Sequence, residues 1–339
     1  MASMTDRYAR QTLFTDIGKE GQKRLGDSCV MFIGCGAVGT VVATSLVRAG
    51  VGKVKIIDRD FIEYHNLQNH VLFDEDDINN QLPKAVAAKR HLKKVNSSVE
   101  VEGIVANVNY TNIESFVSGA NLILDGVDNI ETRFLINDVS LKHKIPWIYG
   151  EAVASRGMTF DIIPGETPCF QCIFASPFSH GTVYTADTVG VISPASLVVG
   201  SLESVEALKV LVGAREINRD HIVVDVWKGT FHRLKISPRS GCPACQGKYE
   251  FLEGKFGMKV TSLCGQNAVQ VINPKMESIS LENLAARLNS IGQVFYNEFM
   301  LRFAGDSHEM VVFPDGRAIV KNTNDESLAL GLYNKYIGG

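Results

Sequence analysis

The stretch Ser28–Gly50, SCVMFIGCGAVGTVVATSLVRAG, constrains this chain more than any other. A short apolar run enters Gly34-Cys35-Gly36-Ala37-Val38-Gly39, and an apolar run with helical spacing leaves it. Strand, tight turn and helix in that order open a βαβ unit. Gly34, Gly36 and Gly39 let backbone N–H groups approach a phosphate resting on the helix N-terminus. The next apolar run, KVKIID, ends at Asp58, where an acidic residue suits the two hydroxyls of a ribose. NAD, FAD and ATP satisfy this much equally.

The alternation continues to about Gly150. The runs VEVEGIVA, ANLILDGVDN and IPWIYGEA are strand-like, and helical patterns at Lys84–Val95, TNIESFVSG and IETRFLINDVSLKHK separate them. This predicts an α/β fold, a Rossmann-like and mostly parallel sheet with helices on both faces. Asp58, Asp125 and Asp128 fall at carboxyl ends of strands, where such sheets hold ligands. Residues 7–25 form a helical arm. After Gly150, GMTFDIIP, HIVVDVWKG and TFHRLKIS predict an antiparallel extension, with a long apolar helix, SPASLVVGSLESVEALKVLVG, among them. Residues 175–193 read as a loop. From Glu250 the pattern becomes helix, strands, helix. The expected division is a nucleotide-binding domain with arm and metal site at 1–249 and a small α+β domain at 250–339.

Hydrophobic residues make up 45% and charged residues 21%, enough to fill a globular core. A net charge of −3 gives no reason to expect nucleic acid or an acidic membrane as the main partner. No apolar run has the length of a membrane span, and the N-terminus lacks an apolar signal region, so a cytoplasmic location is expected. Disulfides are rare there. The pairs Cys169-Phe-Gln-Cys172 and Cys242-Pro-Ala-Cys245 therefore read as two knuckles whose four thiolates suit a tetrahedral, structural Zn²⁺. A redox C-x-x-C is the competing explanation. Cys29, Cys35 and Cys264 are expected to pack as small apolar residues.

Further residues separate ATP from a hydride carrier. No placed acid or base for hydride transfer stands out. Lys84 opens a helix after Pro83, and Asp128-Asn129 close the strand in LDGVDN. An ammonium neutralises phosphate oxygens and a carboxylate holds Mg²⁺ between them, which is what a triphosphate needs.

Taken in order, RYARQ, GCGAVG, AGVG, IIDRDFIEYHNLQN, PKAVAA, LDGVDN, PCFQC and CPAC resemble the ThiF/MoeB/HesA adenylyltransferases, bacterial relatives of ubiquitin-activating enzymes, over about residues 5–248. The resemblance implies ATP-dependent adenylation of the C-terminal carboxylate of a small ubiquitin-like sulfur carrier ending in Gly-Gly. Pyrophosphate leaves, in thiamine- or molybdopterin-type sulfur transfer. It assigns Gly34, Gly36 and Gly39 to the phosphates, Asp58 to the ribose, Lys84 to phosphate oxygens and Asp128 to Mg²⁺. Asn66 and Asn129 would help hold nucleotide and metal. Arg10 would reach the phosphates of a neighbouring subunit in a homodimer.

The sequence departs from that family in two places. Asn69, in the nucleotide segment, stands where the family often has Arg, so one phosphate-binding cation is missing. The adjacent His70 titrates near neutrality and is a weak substitute. Ala186 falls where members that handle sulfur carriers often have Cys, so no acyl–sulfur link forms there; Cys264 is a candidate replacement. The chain ends in Gly338-Gly339, like the tails such enzymes activate. Activation of a peptide or small-molecule carboxylate stays open as an alternative. So does a non-catalytic, nucleotide-binding scaffold for a ubiquitin-like partner.

Overall fold

The computed structural model describes residues 7–175, 186–255, 260–263, 267–272, 278–305 and 308–337. Two compact units divide between Phe256 and Gly257. The first opens with two arm helices, Ala9–Leu13 and Gly18–Gly26. Its sheet comprises β1 (Cys29–Ile33), β2 (Lys53–Asp58), β3 (Glu100–Val105), β4 (Leu122–Asp125), β5 (Trp147–Val153), β6 (Arg156–Ile162), β7 (His221–Asp225) and β8 (Thr230–Leu234). Their order is β3-β2-β1-β4-β5-β6-β7-β8. Strands β3 to β5 of that order run parallel. Strands β6 to β8 add antiparallel. This is the α/β architecture with an antiparallel extension that the strand–helix alternation predicts.

Period-two burial explains why β1 reads as one apolar run. Val30 and Phe32 enter one core with Val42, Leu46, Ala88, Leu92 and Val199. Met31 and Ile33 enter the other with Phe134, Ile136 and Val139. Both faces of the sheet are covered at β1, so that central strand has no position for a polar residue until the chain emerges at the carboxyl end. The helix Ala37–Ala49 stops where Gly50 takes a left-handed conformation and returns its N–H to the Leu46 and Val47 carbonyls. The order reverses between β1 and β4, which leaves a crevice at their carboxyl ends.

The unit boundary lies a few residues beyond the expected 249/250. Phe251 stacks on Phe134 with centroids 4.8 Å apart. The Phe251 and Leu252 amides donate to Asp138 Oδ2 at 2.9 and 3.3 Å. These contacts bind residues just past Glu250 into the first unit.

Among its described residues the second unit has six antiparallel strands: β9 (Val260–Leu263), β10 (Ala268–Val271), β11 (Gln293–Tyr296), β12 (Leu301–Gly305), β13 (His308–Val312) and β14 (Ala318–Lys321). Their order is β11-β12-β13-β14-β10-β9. The helices Leu281–Leu288 and Glu326–Tyr336 place Leu284, Leu288, Leu332 and Tyr333 in its core. Their first turns are capped by Ser280 and Asp325. Strands β9 and β10 do not appear in the sequence expectation. Within the loop 175–193, the described part contains a short helix, Ala186–Val189, carrying the half-buried Ala186. Cys264 and Gly338-Gly339 lie outside the described residues. Among the described residues no helix is long and apolar enough to cross a membrane.

Candidate active site and cysteine cluster

The glycine turn is built against a second loop. Gly34 sits at φ +85°, and its N–H donates to the Ile57 carbonyl at 2.8 Å. Gly126, just past β4, donates to the Ile33 carbonyl at 2.9 Å and accepts from Gly36 N–H at 3.3 Å. A Cβ on Gly34 would lie 2.5 Å from Gly126 C, and one on Gly126 would lie 2.5 Å from Gly34 O. One on Gly36 would lie 2.9 Å from Gly126 O, and one on Gly39 3.3 Å from Gly34 O. Backbone seats on backbone here, so these glycines join two loops and do more than clear room for a phosphate.

Beside that seat lies a lysine among three carboxylates. Asp58, at the end of β2, is buried; its Oδ2 accepts from Cys35 N–H at 2.7 Å and its Oδ1 from Asp60 N–H at 2.8 Å. Burial pushes the Asp58 carboxyl up, which Lys84 and both amides oppose and Asp60 reinforces. Lys84 is buried at the first position of the helix Lys84–Val95, and its Nζ lies 3.5 Å from Asp60 Oδ2. Burial works against its charge. The carboxylates of Asp60, Asp58 and Asp128 outweigh that and hold the ammonium protonated well above the usual lysine range. Asp128 is exposed. The structure thus brings together Gly34, Gly36, Gly39, Asp58, Lys84 and Asp128. The N-termini of the helices Ala37–Ala49, Lys84–Val95 and Ile130–His143 open next to them, each carrying the partial positive charge of its helix dipole.

The asparagines do structural work. Asn66 is buried and its Oδ1 accepts from Glu63 N–H at 2.9 Å, closing a tight turn. Asn129 caps the helix Ile130–His143, accepting from Thr132 N–H at 2.9 Å. Asn69 is buried, with no partner for its Oδ1 among the described residues. His70 corrects an expectation. Burial, with the positive charge of Lys84, pushes it down to about 2, so it is neutral at physiological pH and supplies no cation.

Arg10 does not join this group within one chain. It is exposed on the helix Ala9–Leu13. The neighbouring Gln11 donates to the Ala49 carbonyl at 2.9 Å, and Tyr8 accepts from Asn96 at 2.8 Å. That anchors the arm at the C-terminal end of the helix Ala37–Ala49. The glycine turn is at its other end, about 20 Å away at 1.5 Å per residue.

Beneath the second loop, Asp125 joins Arg133, Tyr149 and Glu151, three residues that sequence reasoning missed. The guanidinium of Arg133 donates to Asp125 at 3.1 Å, to Glu151 at 3.0 Å and to the Val127 carbonyl at 2.8 Å. It also lies over the Tyr149 ring. Burial pushes Asp125 up to about 6 in spite of Arg133. Asp60 was likewise missed as a partner of Lys84.

The four knuckle cysteines converge. Their Sγ atoms lie within 4.8 Å of one another. Individual pairs are Cys169–Cys172 at 3.7 Å, Cys169–Cys242 at 3.6 Å, Cys172–Cys245 at 3.5 Å and Cys245–Cys169 at 3.4 Å. These are far longer than a disulfide of about 2.05 Å. They approach the roughly 3.8 Å edge of a tetrahedron with Zn–S bonds of about 2.3 Å. Burial and then the neighbouring thiols push Cys169 up, and burial pushes Cys245 up to about 12. Four thiolates crowded this way need a cation, so the donor set fits zinc. A metal here would tie the turn Phe170–Ile173 to the turn Ala244–Gln246.

A family model described as the ThiF family matches residues 8–244. This chain belongs to the ThiF family. Among its relatives is the sulfur carrier protein ThiS adenylyltransferase of Bacillus subtilis, 42% identical over 99% of this chain and 100% of that protein. The protein of the same description from Escherichia coli is 32% identical over 72% of this chain and 95% of its own length. Among solved structures, E. coli MccB with ATP matches with a TM-score of 0.61 at 24% identity, covering 71% of this chain and 74% of that one; the likeness is one of fold. ThiF-family membership accounts for the first unit, since the matched residues end within the second cysteine knuckle.

Proposed function

We propose that this ThiF-family protein adenylates the C-terminal carboxylate of a ubiquitin-like sulfur carrier, with ATP as the AMP donor. Its kinship makes it an adenylyltransferase. Carrying the reading is one observation: Lys84 sits among Asp58, Asp60 and Asp128, beside the interlocked glycine loops.

The chemistry requires no general base, because a terminal carboxylate is already ionised at pH 7. A carboxylate oxygen forms a bond to the α-phosphorus, the bond to the β-phosphate oxygen breaks, and pyrophosphate carries the electron pair away. The obstacle is bringing two anions together. Fixed positive groups would offset it: the Lys84 ammonium and the positive ends of the three helices that open at the crevice. Asp58 would take the ribose and Asp128 a Mg²⁺, which when bound neutralises the phosphates. Asn66, Asn69 and Asn129 would line the nucleotide. Lys84 would exchange Asp60 for phosphate oxygens as nucleotide enters.

Arg10, too far from its own site, would serve the phosphates of a second copy, which makes the working unit a homodimer. The carrier would end in Gly-Gly, since glycines leave no side chains to clash at the α-phosphorus. The four cysteines would hold a structural Zn²⁺ in a cytoplasmic protein. Intact-mass spectrometry tests this directly. With MgATP, a Gly-Gly sulfur carrier gains the mass of AMP in the presence of the protein. A carrier left unmodified under conditions where the protein binds ATP would favour the non-catalytic scaffold.

A further inference from the structure

Arg133 is 4% exposed and is followed in its helix by the fully buried Phe134 and Ile136. Placing a guanidinium there costs desolvation, and an apolar residue would serve packing as well or better. Its bonds show where the cost is recovered. The fork spans three elements: Asp125 at the end of β4, Glu151 on β5 and the carbonyl of Val127 in the loop between β4 and the next helix. Glu151 is itself held by the Tyr149 hydroxyl at 2.7 Å. The Val127 N–H donates to Asp125 Oδ1 at 2.9 Å, so both backbone polar groups of Val127 are fixed. Gly126 is fixed at both of its own by Ile33 and Gly36. Asn129 is fixed by capping the helix. Every neighbour of Asp128 is therefore pinned, while its own carboxylate stays exposed.

We propose that Arg133 is a positioning residue: it fixes the loop Gly126–Asn129 so that Asp128 meets a magnesium–triphosphate in a preset place, without itself touching metal or nucleotide. This rests on Asp128 being a metal ligand. A lysine has one ammonium where the guanidinium offers a planar fork, so it cannot bridge all three partners.

Calorimetric titration of the full chain with an α,β-methylene ATP analogue, once with Mg²⁺ and once in EDTA, tests the proposal. Hydrogen exchange of the peptide spanning 126–129 is followed in parallel. Arg133→Lys is expected to lose roughly tenfold of the affinity that Mg²⁺ adds, as for outer residues that orient metal ligands. Affinity in EDTA stays at the wild-type level, and exchange in the loop speeds up. Glu151→Gln keeps the side chain's shape, guards against a misfolded arginine variant, and should shift both readouts the same way by less. If folded variants keep the full magnesium gain, or lose affinity equally with and without metal, Arg133 only packs and the proposal falls. Asp128→Asn should abolish the magnesium gain. If it does not, the metal-ligand role of Asp128 fails first and takes this proposal with it.

Discussion

At the scale of single residues, the site depends on a charge that burial opposes. Lys84 stays an ammonium because three carboxylates surround it. Lys84→Ala should lower ATP–pyrophosphate exchange by about 10²-fold or more, the usual cost of removing one preorganised charge-stabilising donor. Unchanged exchange in that variant would refute its role. His70 gives a test at the same scale with a definite sign. Its folded-state value is pushed down to about 2 from an ordinary 6.5. Its contribution to stability is therefore complete above pH 6.5 and is lost as pH falls below it. Each pH unit below costs about 1.4 kcal/mol, so from pH 7 to pH 5 wild type should lose about 2 kcal/mol relative to His70→Gln in urea unfolding. Parallel pH profiles would show that His70 is not held neutral. The shared location of Lys84, Asp58 and Asp128 was legible in the sequence: Asp58 closes β2, Lys84 opens a helix, and Asp128 lies in the loop after β4, which ends at Asp125 and not at the Asp128-Asn129 the sequence suggested. The state of His70 was not, since it follows from burial beside Lys84. Arg133 was hidden because an arginine on a helix is normally solvated; its one signal is the run Phe134-Leu135-Ile136 at its side.

Among elements, the decisive contact is the seating of the glycine turn on the loop after β4. The tight turn of Gly34, Gly36 and Gly39 between strand and helix was visible in the sequence. That Gly126 completes it was not, because the partner lies on a different strand. The two cysteine knuckles were readable at either end of a long gap, from spacing and residue type. Their geometry predicts about one Zn²⁺ per chain in metal analysis. Cys169→Ser, at the centre of the cluster, should lower that content and the thermal midpoint together. Full stability with no bound metal would assign the cluster to redox chemistry or to packing.

For the whole molecule, strand–helix alternation predicted the sheet of the first unit almost element by element, because buried parallel strands must be continuous apolar runs. It failed at β9 and β10, two short strands with little apolar length between polar stretches, whose pairing with each other and with β14 is what makes them strands. The arm is anchored at the end of the helix Ala37–Ala49 away from the glycine turn, which makes a specific demand on assembly if Arg10 is to reach a site. Arg10→Ala and Lys84→Ala chains, each inactive separately, should recover exchange activity when unfolded together and refolded as a mixture. One mixed site would then combine an intact Lys84 with an intact Arg10. No recovery in a mixture shown to contain dimers of both chains would place Arg10 outside the site.

The measurement that bears most directly on the central claim is exchange of radiolabelled pyrophosphate into ATP by the wild-type protein. It should require Mg²⁺ and a sulfur carrier with an intact Gly-Gly end, and disappear when that end is removed. Exchange that never appears, with nucleotide bound but unconverted in the same sample, would contradict the account.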